Sequence, residues 1–392
     1  MDIYSCMKQE QEYLIQWRRE FHQDPELSGR EYRTAGKIKA ELERLGIESC
    51  RIGETGVLGV ICGEGKGERK VALRADTDAL PVEEKEGRAY GSNNPGVMHA
   101  CGHDGHTACL LGAAKVLQEN RREFGGQVLL LFQPGEETGL GAEDFLRSGV
   151  LDGTKRIFGL HMAPELRAGT IGIKEGLNNA AVDQFCADIT GKAAHVSVPQ
   201  MGADALYMAC QAVVALQGIV TRRTSPTDPV IIGVGKMTAG STYNAVASGA
   251  RLEGTVRTIS QESRRSVKKM TDETIKRTAE LYGGRAEVTW TEIAPPLICH
   301  AKACEEARTA ANQIFGEKNV IADRPLSLGG DNFAEYLFRL PGAYAYLGSG
   351  NPAKPDTTNS LHHEAFDLDE AVLAPGAAFL AACALNTLKC PE

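Results

Sequence analysis

The chain has no excess of positive charge: 43 Lys and Arg stand against 51 Asp and Glu, a formal net charge of −8. A general nucleic-acid binder needs a basic face for phosphates, so the composition argues against that class. The opening MDIYSCMKQEQEYLIQWRRE has no apolar stretch of the kind a secretory signal carries. Nor is there an uninterrupted run of about 20 strongly apolar residues, the length of a membrane span. The nearest candidate, 371–388, is Ala-rich and broken by Pro375, Gly376, Asn386 and Thr387, and is expected to be a buried C-terminal helix. The 11 cysteines show no C-x-x-C spacing, and their odd number fits reduced thiols in the cytoplasm rather than a disulfide framework. Repeats and low-complexity segments are missing too. What remains is a globular composition, 42% hydrophobic and 24% charged, over 392 residues, enough for two domains with full cores.

Hydrophobic patterning divides the chain. Residues 8–22, 30–45 and 106–119 read as helices, 57–62, 71–74, 127–132, 156–160 and 170–173 as strands, and 142–148 as a short helix. Short apolar runs alternating with helices predict a mostly parallel α/β sheet with helices on both faces. From 180 to 293 the order becomes strand 182–190, helix 203–220, strands 230–237 and 250–258, helix 263–281 and strand 286–291. That is β-α-β-β-α-β, a ferredoxin-like α+β unit. After Ala294-Pro295-Pro296 the α/β rhythm returns, with helices at 301–314, 331–338 and 369–388 and a strand at 343–347. The expected organisation is one α/β domain, 1–179 plus 294–392, interrupted by an inserted domain, 180–293.

The densest chemistry lies in Met98-His99-Ala100-Cys101-Gly102-His103-Asp104-Gly105-His106. Cys101 and His103 are two apart, so an extended loop would aim both the same way. Thiolate and imidazole suit zinc or a similar transition metal; the plain alternative is a polar loop capping the helix at 106. Gln133-Pro134-Gly135-Glu136-Glu137 follows a buried strand. Adjacent side chains on an extended segment diverge, so one carboxylate can hold metal while the other faces substrate as a base. A solvated acidic turn is the competing reading. His161 follows the apolar run 156–160, and His362 lies in the loop after 343–347. Each alone is more often a structural histidine. Together with Cys101, His103 and Glu137 they fall in loops after strands, where open α/β sheets bind ligands. In the inserted segment His195, Asn244 and Arg257 are separately ordinary surface residues; as a group they suit a carboxylate and an oxyanion.

These motifs resemble the M20 family of metal-dependent amidohydrolases and peptidases, nearest to N-acyl-amino-acid, hippurate and auxin-conjugate hydrolases. The resemblance covers nearly the whole chain. It starts at Arg18-Arg19-Glu20-Phe21-His22 with Pro25-Glu26-Leu27 and runs through Leu73-Arg74-Ala75-Asp76-Thr77-Asp78-Ala79-Leu80-Pro81 and the two site motifs. It ends with Gly254-Thr255-Val256-Arg257-Thr258 and Leu361-His362. It implies two divalent metals, among zinc, manganese, cobalt and nickel, held by Cys101, His103, Glu137, His161 and His362. It also implies Glu136 as the general base that activates water and then protonates the leaving amine. His195 matches an oxyanion-stabilising histidine of the lid, in many members supplied by the partner subunit. Asn244 and Arg257 match contacts to the substrate carboxylate or scissile carbonyl. Asp76 and Asp78 match motif aspartates that support the ligands. The insert matches a lid and homodimerisation domain, and the substrate implied is a small N-acyl amino acid.

The sequence departs from the family twice. Asp331-Asn332-Phe333 stands where Glu-Asp-Phe is usual, either as a specificity change near the substrate or with Asp331 as a helix N-cap. Gly135 replaces the usual Ala. Other readings are a dipeptidase or carboxypeptidase using the same site, a non-catalytic binding protein on the same fold, and thiol catalysis by Cys101 with His103.

Overall fold

The computed structural model describes residues 3–389. In chain order the elements are α1 (Ile3–Gln9), α2 (Gln11–Gln23), α3 (Tyr32–Arg44), β1 (Glu48–Ile52), β2 (Gly56–Cys62), β3 (Gly65–Asp76) and α4 (His103–Glu119). Then come β4 (Gly125–Gln133), α5 (Ala142–Arg147), β5 (Thr154–Arg167), β6 (Ile171–Gly172), β7 (Gly176–Asn179), β8 (Ala181–Thr190), α6 (Ala205–Gly218), β9 (Ile231–Ala239) and β10 (Gly249–Thr258). The chain continues through α7 (Gln261–Leu281), β11 (Arg285–Ala294), β12 (Leu297–Cys299), α8 (Ala301–Phe315), β13 (Val320–Ile321), α9 (Phe333–Leu337), β14 (Gly342–Gly350) and α10 (Leu373–Lys389). Two compact units result. One comprises the chain up to Asn178, Ile298–Pro325 and Asn332 onward; the other comprises Asn179–Leu297 with Leu326–Asp331.

The first unit is built on an eight-stranded sheet, ordered β1-β2-β4-β3-β5-β14-β6-β13. Its centre, β4-β3-β5-β14, is parallel, while β1, β2 and β6 pair antiparallel toward the edges. The central strands are near-continuous apolar runs because both their faces are covered. On β14, Phe333 of α9 stacks on Tyr344 with ring centroids 4.6 Å apart. Leu347, of opposite parity, meets α10, where a Cβ on Gly376 would come within 2.6 Å of it. Helices α9 and α10 therefore cover opposite faces. Helix α10 is the expected buried C-terminal helix: 83% of its apolar stretch lies inside the protein, where it packs on α4 and the sheet centre. Strand β1 (ESCRI) has no counterpart in the sequence reading; it is a polar edge with no apolar alternation to mark it.

The second unit is a four-stranded antiparallel sheet, β11-β8-β10-β9, with the predicted β-α-β-β-α-β order. Phe185, Ala187, Ile189, Leu252 and Val256 face Met208, Ala212, Leu216, Val267 and Ile275 of α6 and α7 in one core. Asp204 caps α6 by accepting from the Leu206 and Tyr207 amides, and Ser260 caps α7 through Ser263. Buried Asp183 takes a bidentate pair from Arg264 at 2.8 Å, which ties α7 to β8.

Candidate metal centre

The Cys-Gly-His-Asp-Gly-His segment is a tight turn into α4, not the extended loop its spacing suggests. Gly102 sits at the N-cap with φ +84, a conformation that favours glycine, and a Cβ there would come within 3.1 Å of Met162. His103 is therefore the first helical residue. Its Nδ1 lies 3.0 Å from the Asp78 carbonyl and 3.1 Å from Asp78 Oδ1. An N–H donated there leaves the Nε2 lone pair for a ligand, the usual way a second group sets the tautomer of a metal-binding histidine.

His161 differs from its expected place: β5 does not stop at 160 but runs to Arg167, so this histidine projects from within a strand. Nδ1 donates to the Met162 carbonyl at 2.7 Å, and Nε2 lies 3.6 Å from Cys101 Sγ. The Glu136–Glu137 pair also departs from extended geometry. Gly135, at φ +66, ends the extension, and both carboxylates rise from a 3-10 turn, Glu136–Thr138. Glu137 Oε1 is 3.3 Å from His362 Nε2 and 3.9 Å from His103 Nε2. Glu136 accepts the Asn332 amide at Oε1, 3.1 Å away. His362 is the one non-glycine residue at positive φ among the described residues, at +67. Such strain is kept where surroundings impose it, and here the His362 amide is tied to the Ala100 carbonyl at 2.8 Å.

Ligand atoms within 4.8 Å of one another form the groups Cys101–His103–His161, Cys101–Glu137–His362 and His103–Glu136–Glu137. All five residues expected to bind metal thus meet beside Glu136. The donor chemistry fits a transition-metal cation, with a thiol, imidazole nitrogens and a carboxylate. Two buried atoms, His103 Nε2 and Glu137 Oε1, have no hydrogen-bond partner among the described residues, a cost that a cation would remove. The field is polarised as well. Burial, and then the Glu137 charge, push the Cys101 thiol well above its ordinary pKa. Burial opposes charge on His103, but the Asp76 charge and the hydrogen bond to Asp78 override it and hold its pKa well up. His161 is driven well down by burial and then by His106.

His106 has a role that its place in the motif does not reveal. Nδ1 is 2.5 Å from Asp76 Oδ1, and Nε2 accepts the Met162 amide at 2.8 Å. Since the Met162 carbonyl orients His161, His106 braces a proposed ligand through a single residue, Met162. Asn332, one residue later than the expected Asp331, holds the N-cap position of α9, and its own side chain makes no cap. Instead Asn332 Oδ1 accepts from Arg74 (2.8 Å) and Gln133 (2.9 Å), while Nδ2 donates to the Leu140 carbonyl (2.8 Å). No local pattern signals either role, because the partners are distant in sequence.

His195, Asn244 and Arg257 belong to the second unit. An isolated bridge pairs His195 with Ala245, so His195 and Asn244 share one pair of loops. His195 is exposed, with Nδ1 2.7 Å from Ser197 Oγ. Arg257 lines a pocket of about 510 Å³ on the sheet with Gln184, Lys236 and Thr255. It donates to the Leu328 carbonyl at 2.9 Å. Burial lowers its pKa, and no carboxylate pairs with it among the described residues.

Residues 72–386 match the family model described as peptidase family M20/M25/M40. The N-acetyl-L-cysteine deacetylase of Bacillus subtilis (strain 168) is 41% identical over 97% of this chain and 89% of its own length. A second N-acetylcysteine deacetylase of the same organism is 37% identical over 96% of this chain and 97% of its own length. Among solved structures, the Bacillus subtilis YXEP protein, a dinuclear metal binding peptidase from the M20 family, superposes with a TM-score of 0.82 at 35% identity. That match covers 97% of this chain and 99% of that one.

Proposed function

The chain belongs to peptidase family M20/M25/M40 and hydrolyses amide bonds with divalent metal, and from that premise we propose that its substrates are N-acyl amino acids. The observation that carries the site assignment is the convergence of Cys101, His103, Glu137, His161 and His362 beside a second, separately held carboxylate, Glu136. Glu137 lies within reach of both the Cys101–His362 and His103–Glu136 groups, and with Cys101, His103, His161 and His362 it would hold the divalent metal. Bound there, zinc, manganese, cobalt or nickel would supply Lewis-acid polarisation of the amide carbonyl and a more acidic water. Glu136 takes the water's proton and returns it to the departing amine. The Asn332 amide, donating to Oε1 at 3.1 Å, helps hold the carboxylate for that transfer. His195 is assigned to the developing oxyanion, and Asn244 and Arg257 to the carboxylate of the amino-acid half.

Arg257→Met is expected to raise KM roughly 10–100-fold with little change in kcat, since a hydrogen bond to a charged group is worth about 1.5–3 kcal/mol. A substrate whose carboxylate is replaced by carboxamide should show no such difference, and an equal effect on both would remove Arg257 from carboxylate recognition.

The second unit also suits a homodimer. Strand β9 is an unpaired sheet edge, and Leu206, Val214, Ile231 and Met237 are exposed apolar side chains on it or on α6. We place the enzyme in the cytoplasm, in keeping with cysteines that form no disulfide among the described residues.

The test is amino-acid release measured by mass spectrometry. Protein loaded with Mn²⁺ or Zn²⁺ meets a panel of N-acetyl, N-benzoyl and N-indoleacetyl amino acids plus dipeptides, beside a chelated sample. The proposal expects release from acylated substrates by the loaded protein only. Release confined to dipeptides would make the enzyme a peptidase, and undiminished release after chelation would favour thiol chemistry at Cys101.

A further inference from the structure

Glu31 is wholly buried at the start of α3, yet it does not cap that helix. Its carboxylate accepts three hydrogen bonds. Oε1 takes the Gly29 amide at 2.9 Å and the Gly135 amide at 2.8 Å; Oε2 takes the Thr55 hydroxyl at 3.0 Å. Gly135 is the residue before Glu136. On the other side of Glu136, the Glu137 amide donates to Asp78 Oδ2 at 3.0 Å, and the same oxygen accepts the Ser28 hydroxyl at 2.7 Å. The amides flanking Glu136 are therefore each held by a buried carboxylate from outside their own loop, and the turn carrying Ser28 and Glu31 touches both anchors.

The anchoring matters because of what stands at 135. Glycine takes φ +66 without steric cost, but it brings no side chain to restrain the peptide. Rotation of the 134–135 peptide plane would swing the Glu136 carboxylate, and proton transfer tolerates little misplacement: about 1 Å can cost 10²-fold. We infer that Glu31 is a positioning residue for amide hydrolysis, fixing the Gly135 amide and thereby the aim of Glu136. The inference rests on Glu136 being the general base.

The experiment uses full-length, metal-loaded protein and compares Glu31→Ala, Glu31→Gln, Glu31→Asp and Glu136→Gln. In Glu31→Ala, kcat should fall about 10–100-fold, with KM and metal content near parental and a larger solvent deuterium isotope effect on kcat. An effect of partial unfolding would lower the active fraction without changing that isotope effect. Glu31→Gln keeps an acceptor for the Gly135 amide and should recover most of the rate. If Glu31→Ala does not fold, Glu31→Asp carries the test: it keeps the charge but withdraws the oxygen by one methylene, so kcat should fall and the isotope effect rise. Parental kcat and isotope effect in the folded Glu31 variants, with Glu136→Gln inactive, would overturn this inference and leave the base assignment standing. Near-parental turnover in Glu136→Gln would overturn both.

Discussion

Glu136→Gln is expected to retain its metal and to lose roughly 10²–10⁴-fold in kcat, the usual contribution of a general acid–base group. The substitution is nearly isosteric. A glutamine oxygen can still accept the Asn332 amide that now meets Oε1 at 3.1 Å, so the side chain keeps its place at 8% exposure. What disappears is the ability to take a proton from water and return it to the amine. Because one group serves both transfers, KM should move little while kcat collapses. Metal analysis makes the result decisive, since Glu136 lies within 4.8 Å of the ligand atoms of His103 and Glu137 and is geometrically able to bind a cation itself. Full metal content with lost turnover identifies a base. Loss of metal would identify a ligand, and near-normal turnover would remove Glu136 from the chemistry.

The contrast between Glu136 and Glu31 shows how much of the site the sequence reveals. Cys101, His103 and the Glu136–Glu137 pair are visible because their side-chain types cluster within short segments. Their geometry is less visible. Alternation along an extended segment predicts diverging carboxylates, but Gly135 at positive φ replaces that segment with a 3-10 turn. Apolar patterning ends the strand before His161, whereas hydrogen bonding to β14 pairs His161 with Tyr346 and Met162 with Leu347. The partner strand decides where β5 ends, and it lies far along the chain. Glu31 and His106 are harder still, since each acts on a backbone amide (Gly135 and Met162) that has no side-chain identity. The fold follows the same logic. Buried central strands and the helices of the second unit announce themselves by apolar periodicity, while the polar edge strand β1 has one hydrogen-bonded neighbour and no apolar requirement.

Arg18→Met is expected to destabilise the protein by about 3–5 kcal/mol, the cost of breaking a buried ion pair from one side. Arg18 is fully buried, with Nε 2.8 Å from Asp104 Oδ2, Nη2 2.7 Å from Asp367 Oδ1 and the guanidinium 4.8 Å above the Tyr90 ring. Asp104 is equally buried, and removing Arg18 takes away its cationic partner and leaves it with His22 and the Gly105 amide. The pH dependence tests the cause. Burial alone would raise the pKa values of Asp104 and Asp367, but Arg18 overrides it and holds both below the ordinary carboxylate range. Carboxylates depressed in the folded state give stability that is present above their unfolded pKa, near 4, and is lost as pH falls through the folded values. Removing Arg18 raises the folded values, so the variant has less left to lose on acidification. Chemical denaturation should therefore show the full deficit at pH 7 and a shrinking one below about pH 4. Asp104→Asn in the Arg18→Met background should recover part of the deficit by removing the stranded charge. A deficit under about 1 kcal/mol, or one that grows on acidification, would mean that packing of the arginine stem, not its charge, holds α2 to the start of α4, where His103 begins the helix.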